Sequence, residues 1–234
     1  MHSAKEHIAA RHASTEAHFH EDAPYAGRNL AKATLYPLEV RLSLEEWLEG
    51  LSTREKRPTA QQAAFLRGLC ERLSDEARVE QDAGKGDVET NAPWMDLVHG
   101  VPGSGKSQII AWIRECFEQV LGWKHGIQFV CLAYQNVMAA AIGGETIHHW
   151  AGIPIGVDAE VSSSRNLHSF STRCQCIRFI IIDEISMVSA ELLAALEQSV
   201  RKVVRQTRIF RINEKGEVRA FGGINVIFLV IFGN

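Results

Sequence analysis

The sequence predicts an α/β domain built on a mainly parallel central sheet, preceded by a helical or weakly ordered N-terminal arm. Three observations carry this expectation. Short unbroken apolar runs (Trp94 to His99, Ile127 to Ala133, Ile177 to Ile182, Val226 to Phe232) have the length and hydrophobicity of strands covered on both faces. Between them lie stretches of helical spacing, Lys106 to about Leu121 and Ser189 to about Arg205, as crossovers between parallel strands require. The composition, 46% hydrophobic and 23% charged over 234 residues, is that of a globular chain. It excludes disorder throughout, a collagen-like repeat and a disulfide miniprotein.

Residues 1–57 read as the arm, partly disordered, and 58–234 as the folded domain. Half of the 10 histidines fall among the first twenty positions. His2, His7 and His12 are five apart, a spacing that turns neighbours away from each other on a helix and makes no metal site. Ser43-Leu44-Glu45-Glu46 has the form of a capping box and predicts a short helix through Trp47 and Leu48. After the charged break from Thr53 to Pro58, an amphipathic helix is expected from about Thr59 to Arg78, then a loop from Gln81 to Pro93. Lys plus Arg number 25 against 28 Asp plus Glu, so the chain is not a wholesale polybasic nucleic-acid binder, though a local basic groove is compatible with it. Met1 to Ala10 contains Lys5 and Glu6 and no apolar run, so no signal peptide is expected. The 5 cysteines then read as reduced thiols of an intracellular protein. No run approaches the roughly 18 apolar residues of a membrane span.

Gly100-Val101-Pro102-Gly103-Ser104-Gly105-Lys106-Ser107 satisfies G-x-x-x-x-G-K-S/T without a departure, between an expected strand and an expected helix. Glycines allow consecutive backbone N–H groups to turn toward one anion, and the N-terminus of the following helix adds the positive end of its dipole. The residues expected to bind nucleotide are Gly100, Pro102, Gly103, Ser104, Gly105, Lys106 and Ser107. Lys106 would reach the β- and γ-phosphates of ATP, and the Ser107 hydroxyl would hold Mg²⁺. Downstream, Ile180-Ile181-Ile182-Asp183-Glu184 is an apolar strand ending in two acids. At the carboxyl end of a parallel strand they face the phosphate crevice, Asp183 toward the metal and Glu184 toward the attacking water. Lys106, Asp183 and Glu184 are thus the expected catalytic residues. Acids that merely cap the following segment are the alternative.

Beyond the phosphate loop, Ile142-Gly143-Gly144-Glu145-Thr146-Ile147-His148-His149-Trp150-Ala151-Gly152-Ile153 resembles the GG-x-TIH-x-x-x-GI segment of the PIF-type 5′-to-3′ DNA helicases, particularly the version in Helitron-type transposon helicases. Ile181-Ile182-Asp183-Glu184-Ile185-Ser186-Met187-Val188 resembles that family's second motif, and Phe221-Gly222-Gly223-Ile224 with Val226-Ile227-Phe228 resembles the approach to its third. The resemblance runs from about Thr59 to the end, with the motifs in order. It implies a RecA-like phosphate-loop NTPase domain that couples Mg-ATP hydrolysis to translocation on single-stranded DNA and unwinding at duplex junctions. It further implies roles in DNA repair, recombination or telomere maintenance, and residence in the nucleus or, less so, the mitochondrion. It gives Gln62 the reading of the adenine edge, although Thr59-Ala60-Gln61-Gln62 is also a capping box that would occupy that side chain. It lays Ala133 to His148 along the DNA, with Thr146 and His148 as contacts to phosphate or base. A packed turn is the other reading of His148 and His149.

Departures from the family pattern also stand in the sequence. Leu132, Gln135 and Asn136 replace Thr, Thr and Gly. Ile231 stands where the third motif has Asp, and Asn234 where it has the Gln that senses the γ-phosphate. The chain is therefore expected to represent the first motor domain, with a catalytically impaired ATP- and DNA-binding remnant as the alternative. Arg201, Lys202, Arg205, Arg208 and Arg211 form an acid-free stretch that tracks phosphates or is a solvated face. Cys174, Cys176 and His168 lack the number and spacing of a zinc site.

Overall fold

The computed structural model describes residues 36, 40–82, 91–101, 103–154, 170–204 and 210–231, and the side chains among these except those of 40–42 and 231. Among the described residues two helices come first, α1 (Val40–Ser52) and α2 (Ala60–Asp82). There follow β1 (Met95–Gly100), α3 (Lys106–Glu115), β2 (Phe129–Ala133), α4 (Asn136–Ala141), β3 (Glu145–Thr146) and α5 (Ile147–Ala151). β4 (Phe179–Asp183), α6 (Ala190–Val203) and β5 (Asn225–Ile231) complete the order. All strand pairs are parallel, and the sheet runs β1-β5-β4-β2-β3. This is the expected α/β architecture, a RecA-like arrangement in which β5 separates the strand of the phosphate loop from the strand of the two acids.

The core is layered as strand alternation dictates. Phe129, Cys131, Ala133, Phe179, Ile181, Ile227 and Leu229 share one buried cluster with α1, α2 and α3. Val130, Leu132, Ile180, Ile182 and Val226 share the other with α5 and α6. β2 is buried at every position. β1 departs from the expectation of two covered faces: it is the sheet edge, and Met95 and Leu97 stay 42% and 47% exposed.

α1 starts at Val40, ahead of the capping box read at Ser43, so Ser43 lies inside the first turns. Its Leu44, Trp47 and Leu51, with Tyr36, join the cluster built on α2 and α3. The chain divides into Met1–Lys32 and Ala33–Asn234. The described residues all belong to the second unit, which begins before residue 58. Of the arm, the five early histidines lie outside the described residues.

α2 is anchored through a buried polar network. Arg178, immediately before β4, donates to both carboxylate oxygens of Glu76, from Nε at 3.0 Å and from Nη2 at 2.6 Å. Tyr36 Oη and Asn225 Nδ2 donate to the same carboxylate, at 2.5 and 2.8 Å, and Arg72 pairs with it at 2.7 Å. Arg178 Nη1 reaches the Gly223 carbonyl at 3.0 Å, while the Asn225 Oδ1 accepts from the Trp94 backbone N–H at 2.7 Å. Burial alone would push the Glu76 carboxyl up, but the facing Arg178 and Arg72 and the Tyr36 hydroxyl hold it below its usual range. Helix α2 is thereby tied to the amino ends of β1, β4 and β5.

Candidate functional site

The carboxyl rim of the sheet carries the expected site residues that the structure describes, apart from Gln62, which reaches the rim from α2. Gly100 ends β1 and Asp183 ends β4, with β5 between them. Asp183 is level with Ala133 of β2, and Ala133 is level with Thr146 of β3. At about 4.8 Å between strands, Asp183 lies about 10 Å from the line of β1 and about 10 Å from that of β3. Phosphate loop, acids and the Thr146–His148 segment therefore share one edge of the molecule.

The loop geometry follows from its residue types. Gly103 and Gly105 have φ of 77° and 85°, the left-handed region that suits glycine. A Cβ on Gly100 would collide with Ser104 Oγ, and one on Gly105 would stand 2.9 Å from Gln62 Nε2. Lys106 is buried, and its ammonium donates to the carbonyls of Gly100 (3.0 Å) and Val101 (3.3 Å) and to Ser104 Oγ (3.4 Å). Ser107, one residue on, is exposed at the opening of α3. Pro102 lies outside the described residues.

Gln62 caps its own helix and also reaches the phosphate loop. Its Oε1 accepts from the Thr59 N–H at 2.9 Å and its own N–H donates to Thr59 Oγ1 at 3.3 Å, a reciprocal capping box. Its Nε2 donates to the Ser104 carbonyl at 3.1 Å, bringing it against the phosphate loop.

Asp183 is half-buried, and burial pushes its carboxyl above the ordinary value. The neighbouring Glu184 charge adds to the rise, while the Glu184 N–H and the Lys106 ammonium oppose it. The loop lysine and the strand-end acid are thus within electrostatic reach of each other. Glu184 holds φ 50° and ψ 54°, a left-handed conformation rare in a non-glycine residue. Hydroxyl and carboxylate oxygens at Ser107 and Asp183 are donors for a hard cation such as Mg²⁺. Among the described residues no three His, Cys, Asp or Glu side chains gather into a metal-holding cluster.

Beyond β2 the rim opens into a cleft of about 480 Å³ lined by Tyr134, Asn136, Thr146, His148, His149 and Ile153. Thr146 Oγ1 caps α5 by accepting from the His149 N–H at 3.2 Å, which leaves its own hydrogen to donate. His149 Nδ1 sits 2.9 Å from Glu145 Oε2. His148 faces Tyr134, ring centroids 5.9 Å apart at 59°. Tyr134, which no sequence motif singles out, is 38% exposed, and Val137 beside it 80%. It lies within the segment Ala133 to His148 expected along the DNA, as the aromatic residue directly after a buried strand.

Of the basic stretch, Arg201 and Lys202 are exposed and Arg211 is buried. Arg211 Nη2 lies near the Arg201 carbonyl at 3.5 Å, and Arg201 Nη2 is spent on the Val218 carbonyl at 3.0 Å. Arg205 and Arg208 lie outside the described residues. Cys174 and Cys176 are buried. His168, Asn234 and the Ile231 side chain fall outside what is described.

Comparison with known proteins gives a consistent family. The family model described as PIF1-like helicase matches residues 72–232. The chain is 36% identical over 107 residues to the ATP-dependent DNA helicase RRM3 of Saccharomyces cerevisiae, a match covering 44% of this chain and 14% of the relative. It is 31% identical over 133 residues to human ATP-dependent DNA helicase PIF1, covering 55% of this chain and 18% of that protein. The chain thus spans under a fifth of the length of these relatives. A structure of two coordinating Pif1 helicases unwinding forked double-stranded DNA is 20% identical, with a TM-score of 0.48 over 75% of this chain and 34% of that one. A Bacteroides Pif1 in complex with ADP-AlF3 and single-stranded DNA is 22% identical, TM-score 0.41, covering 64% and 30%.

Proposed function

The chain belongs to the PIF1-like helicase family, and from that premise we propose that it is a motor domain of an ATP-dependent DNA helicase. It would bind Mg-ATP at the loop Gly100 to Ser107 and single-stranded DNA along the cleft between Tyr134 and His148. Polarity from 5′ to 3′, action at duplex junctions, a nuclear location and roles in repair, recombination or telomere maintenance belong to the same proposal. The observation that supports it best is the shared rim: the Lys106 loop and Asp183 follow parallel strands at the same end of the sheet, with only β5 between them.

In this reading Lys106 exchanges the carbonyls of Gly100 and Val101 for the β- and γ-phosphates. Backbone N–H groups of the glycine turn and the N-terminus of α3 receive the remaining phosphate charge. Ser107 and Asp183 would hold Mg²⁺, which supplies neutralisation of the charge that develops on the phosphates. Glu184, at the rim next to Asp183, accepts a proton from the attacking water and aims it. Gln62, already against Ser104, offers an amide to the adenine edge. In the cleft, Thr146 donates to a phosphate, and His148 with Tyr134 presents ring faces on which a base stacks, a contact worth about 1–3 kcal/mol.

The test is Mg-ATP turnover with and without an oligo(dT) strand, with Lys106→Ala as the blank. DNA-stimulated turnover that vanishes in the blank is expected. Binding of both ligands with turnover equal to the blank indicates the impaired remnant instead. Turnover indifferent to DNA would overturn the nucleic-acid assignment of the cleft.

A further inference from the structure

One side chain joins the two halves of the rim. Arg114 lies in the last turn of α3, the helix that opens with Lys106 and Ser107, eight residues or about 12 Å along the axis. Its Nη1 donates to the Ile142 carbonyl at 2.7 Å and to the Gly143 carbonyl at 3.2 Å. Its Nε and Nη2 are held by Glu118 Oε1 at 3.3 and 3.0 Å, so the planar fork is fixed on both edges.

The first of the two glycines of the family-like segment is explained by this contact, the second by the approach to β2. Gly143 has φ 61°, and a Cβ there would collide with Arg114 Nη1. A Cβ on Gly144 would collide with the Cys131 carbonyl of β2. The first glycine makes room for the guanidinium, and the second lets the turn lie flat on the strand. The chain after this turn has little slack. Glu145 and Thr146 pair with β2, Thr146 caps α5, and α5 carries His148 into the cleft. A shift of α3 therefore moves the turn at Gly143 and, through a few ordered residues, the cleft wall.

We propose that Arg114 is a positioning residue that couples nucleotide occupancy at the phosphate loop to the affinity of the cleft for single-stranded nucleic acid. The proposal rests on the assignment of the loop to ATP and of the cleft to single-stranded DNA. It makes a reciprocal demand: if nucleotide changes the affinity for the strand, the strand changes the affinity for nucleotide by the same factor. Removing Arg114 must reduce that factor while leaving each ligand's own site in place.

The experiment uses the full chain and measures fluorescence anisotropy of labelled oligo(dT) with and without magnesium and a non-hydrolysable ATP analogue. In the wild type the analogue is expected to change the oligonucleotide Kd by at least about fivefold. In Arg114→Ala the change falls below about twofold, with the oligonucleotide Kd in the absence of nucleotide, and the nucleotide Kd in the absence of DNA, within about twofold of wild type. Arg114→Lys, which keeps a donor but not the fork, restores part of the coupling. Gly143→Ala, which crowds the same seat from the other side, reduces it. Thermal melting shows that each variant is folded, and if Arg114→Ala melts, the Lys and Gly143 variants carry the comparison. Undiminished coupling in the variants, or a wild type that binds both ligands independently, overturns the proposal and leaves the family function standing. A wild type that binds neither ligand overturns both.

Discussion

At the scale of one residue, Glu184 is where the rim carries backbone strain. Its backbone sits at φ 50°, a conformation that costs a non-glycine residue on the order of 1–3 kcal/mol. Glycine would relieve that strain but would carry no carboxylate. Strain retained at a titratable residue beside a half-buried Asp183 is expected where a carboxylate must be aimed. The substitution Glu184→Gln keeps the shape and removes the carboxylate proposed as the base. It is expected to lower Mg-ATP turnover by about 10²–10⁴-fold, the usual worth of a positioned general base, while calorimetric nucleotide affinity stays within a few-fold. Equal losses in affinity and turnover would make Glu184 a nucleotide-binding residue and not a base. The residue identities at this site are readable in the chain itself, because phosphate binding demands a contiguous glycine pattern and the two acids close an apolar run. Tyr134 and Arg114 are not readable in that way. Their meaning comes from His148 and from the turn at Gly143, which are distant in sequence and adjacent only in the fold.

At the scale of elements, α2 acts as a strut between the two ends of the sheet. Its first turn touches the phosphate loop through Gln62 and Ser104, and its later turns are locked by Glu76 and Arg178. Truncating one partner of such a buried pair leaves the other charge uncompensated, which costs about 3–5 kcal/mol. Glu76→Ala is therefore expected to lose that much stability in urea denaturation. Double replacement, Glu76→Leu with Arg178→Met, is expected to recover part of it, since the most buried charge leaves with Glu76 while Arg72, Tyr36 and Asn225 still lose their acceptor. A single variant near wild type would mean that the network is not closed around Glu76. The helix α2, the strands β1, β2, β4 and β5 and the helix α6 are legible from periodicity, each to within a few residues. The six residues of α4, the two of β3 and the five of α5 are not. Elements so short carry no period, and their shape is imposed by pairing with β2 and by the glycines at 143 and 144. The Glu76–Arg178 pair is equally hidden, its partners being 102 positions apart.

For the whole molecule, the burial of thiols and phenol beneath the sheet sets how stability responds to alkali. Burial pushes the Cys131 thiol from 9.0 up to about 12, with Glu118 and Asp183 adding to the rise against Arg114. Cys116 is raised well above its ordinary value, first by its hydrogen bond with Cys70 and then by burial, and burial with the Glu76 charge raises the Tyr36 phenol. All three shifts have one sign. A group whose folded pKa lies above its unfolded one contributes stability fully below the unfolded value and loses it as pH rises toward the folded one. For Cys131 that window runs from about pH 9 to about pH 12, with a loss of about 1.4 kcal/mol per pH unit. The opposite limb belongs to His125, whose Nε2 accepts the Cys131 N–H at 3.0 Å and whose pKa is lowered by burial and by Arg114. Its unfolded form takes a proton below about pH 6.5, so stability falls as the pH drops through that range. The contributions of Cys131 and His125 are therefore flat between about pH 6.5 and 9 and decline on either side. Cys131→Ala isolates one contribution: the lost thiol packing lowers stability equally at every pH, but the fall between pH 7 and 10.5 is smaller than in the wild type by about 2 kcal/mol. Urea midpoints under reducing conditions at the two pH values measure the difference directly. An unchanged difference would show that the thiol ionises freely in the folded chain, which is incompatible with a strand buried at every position.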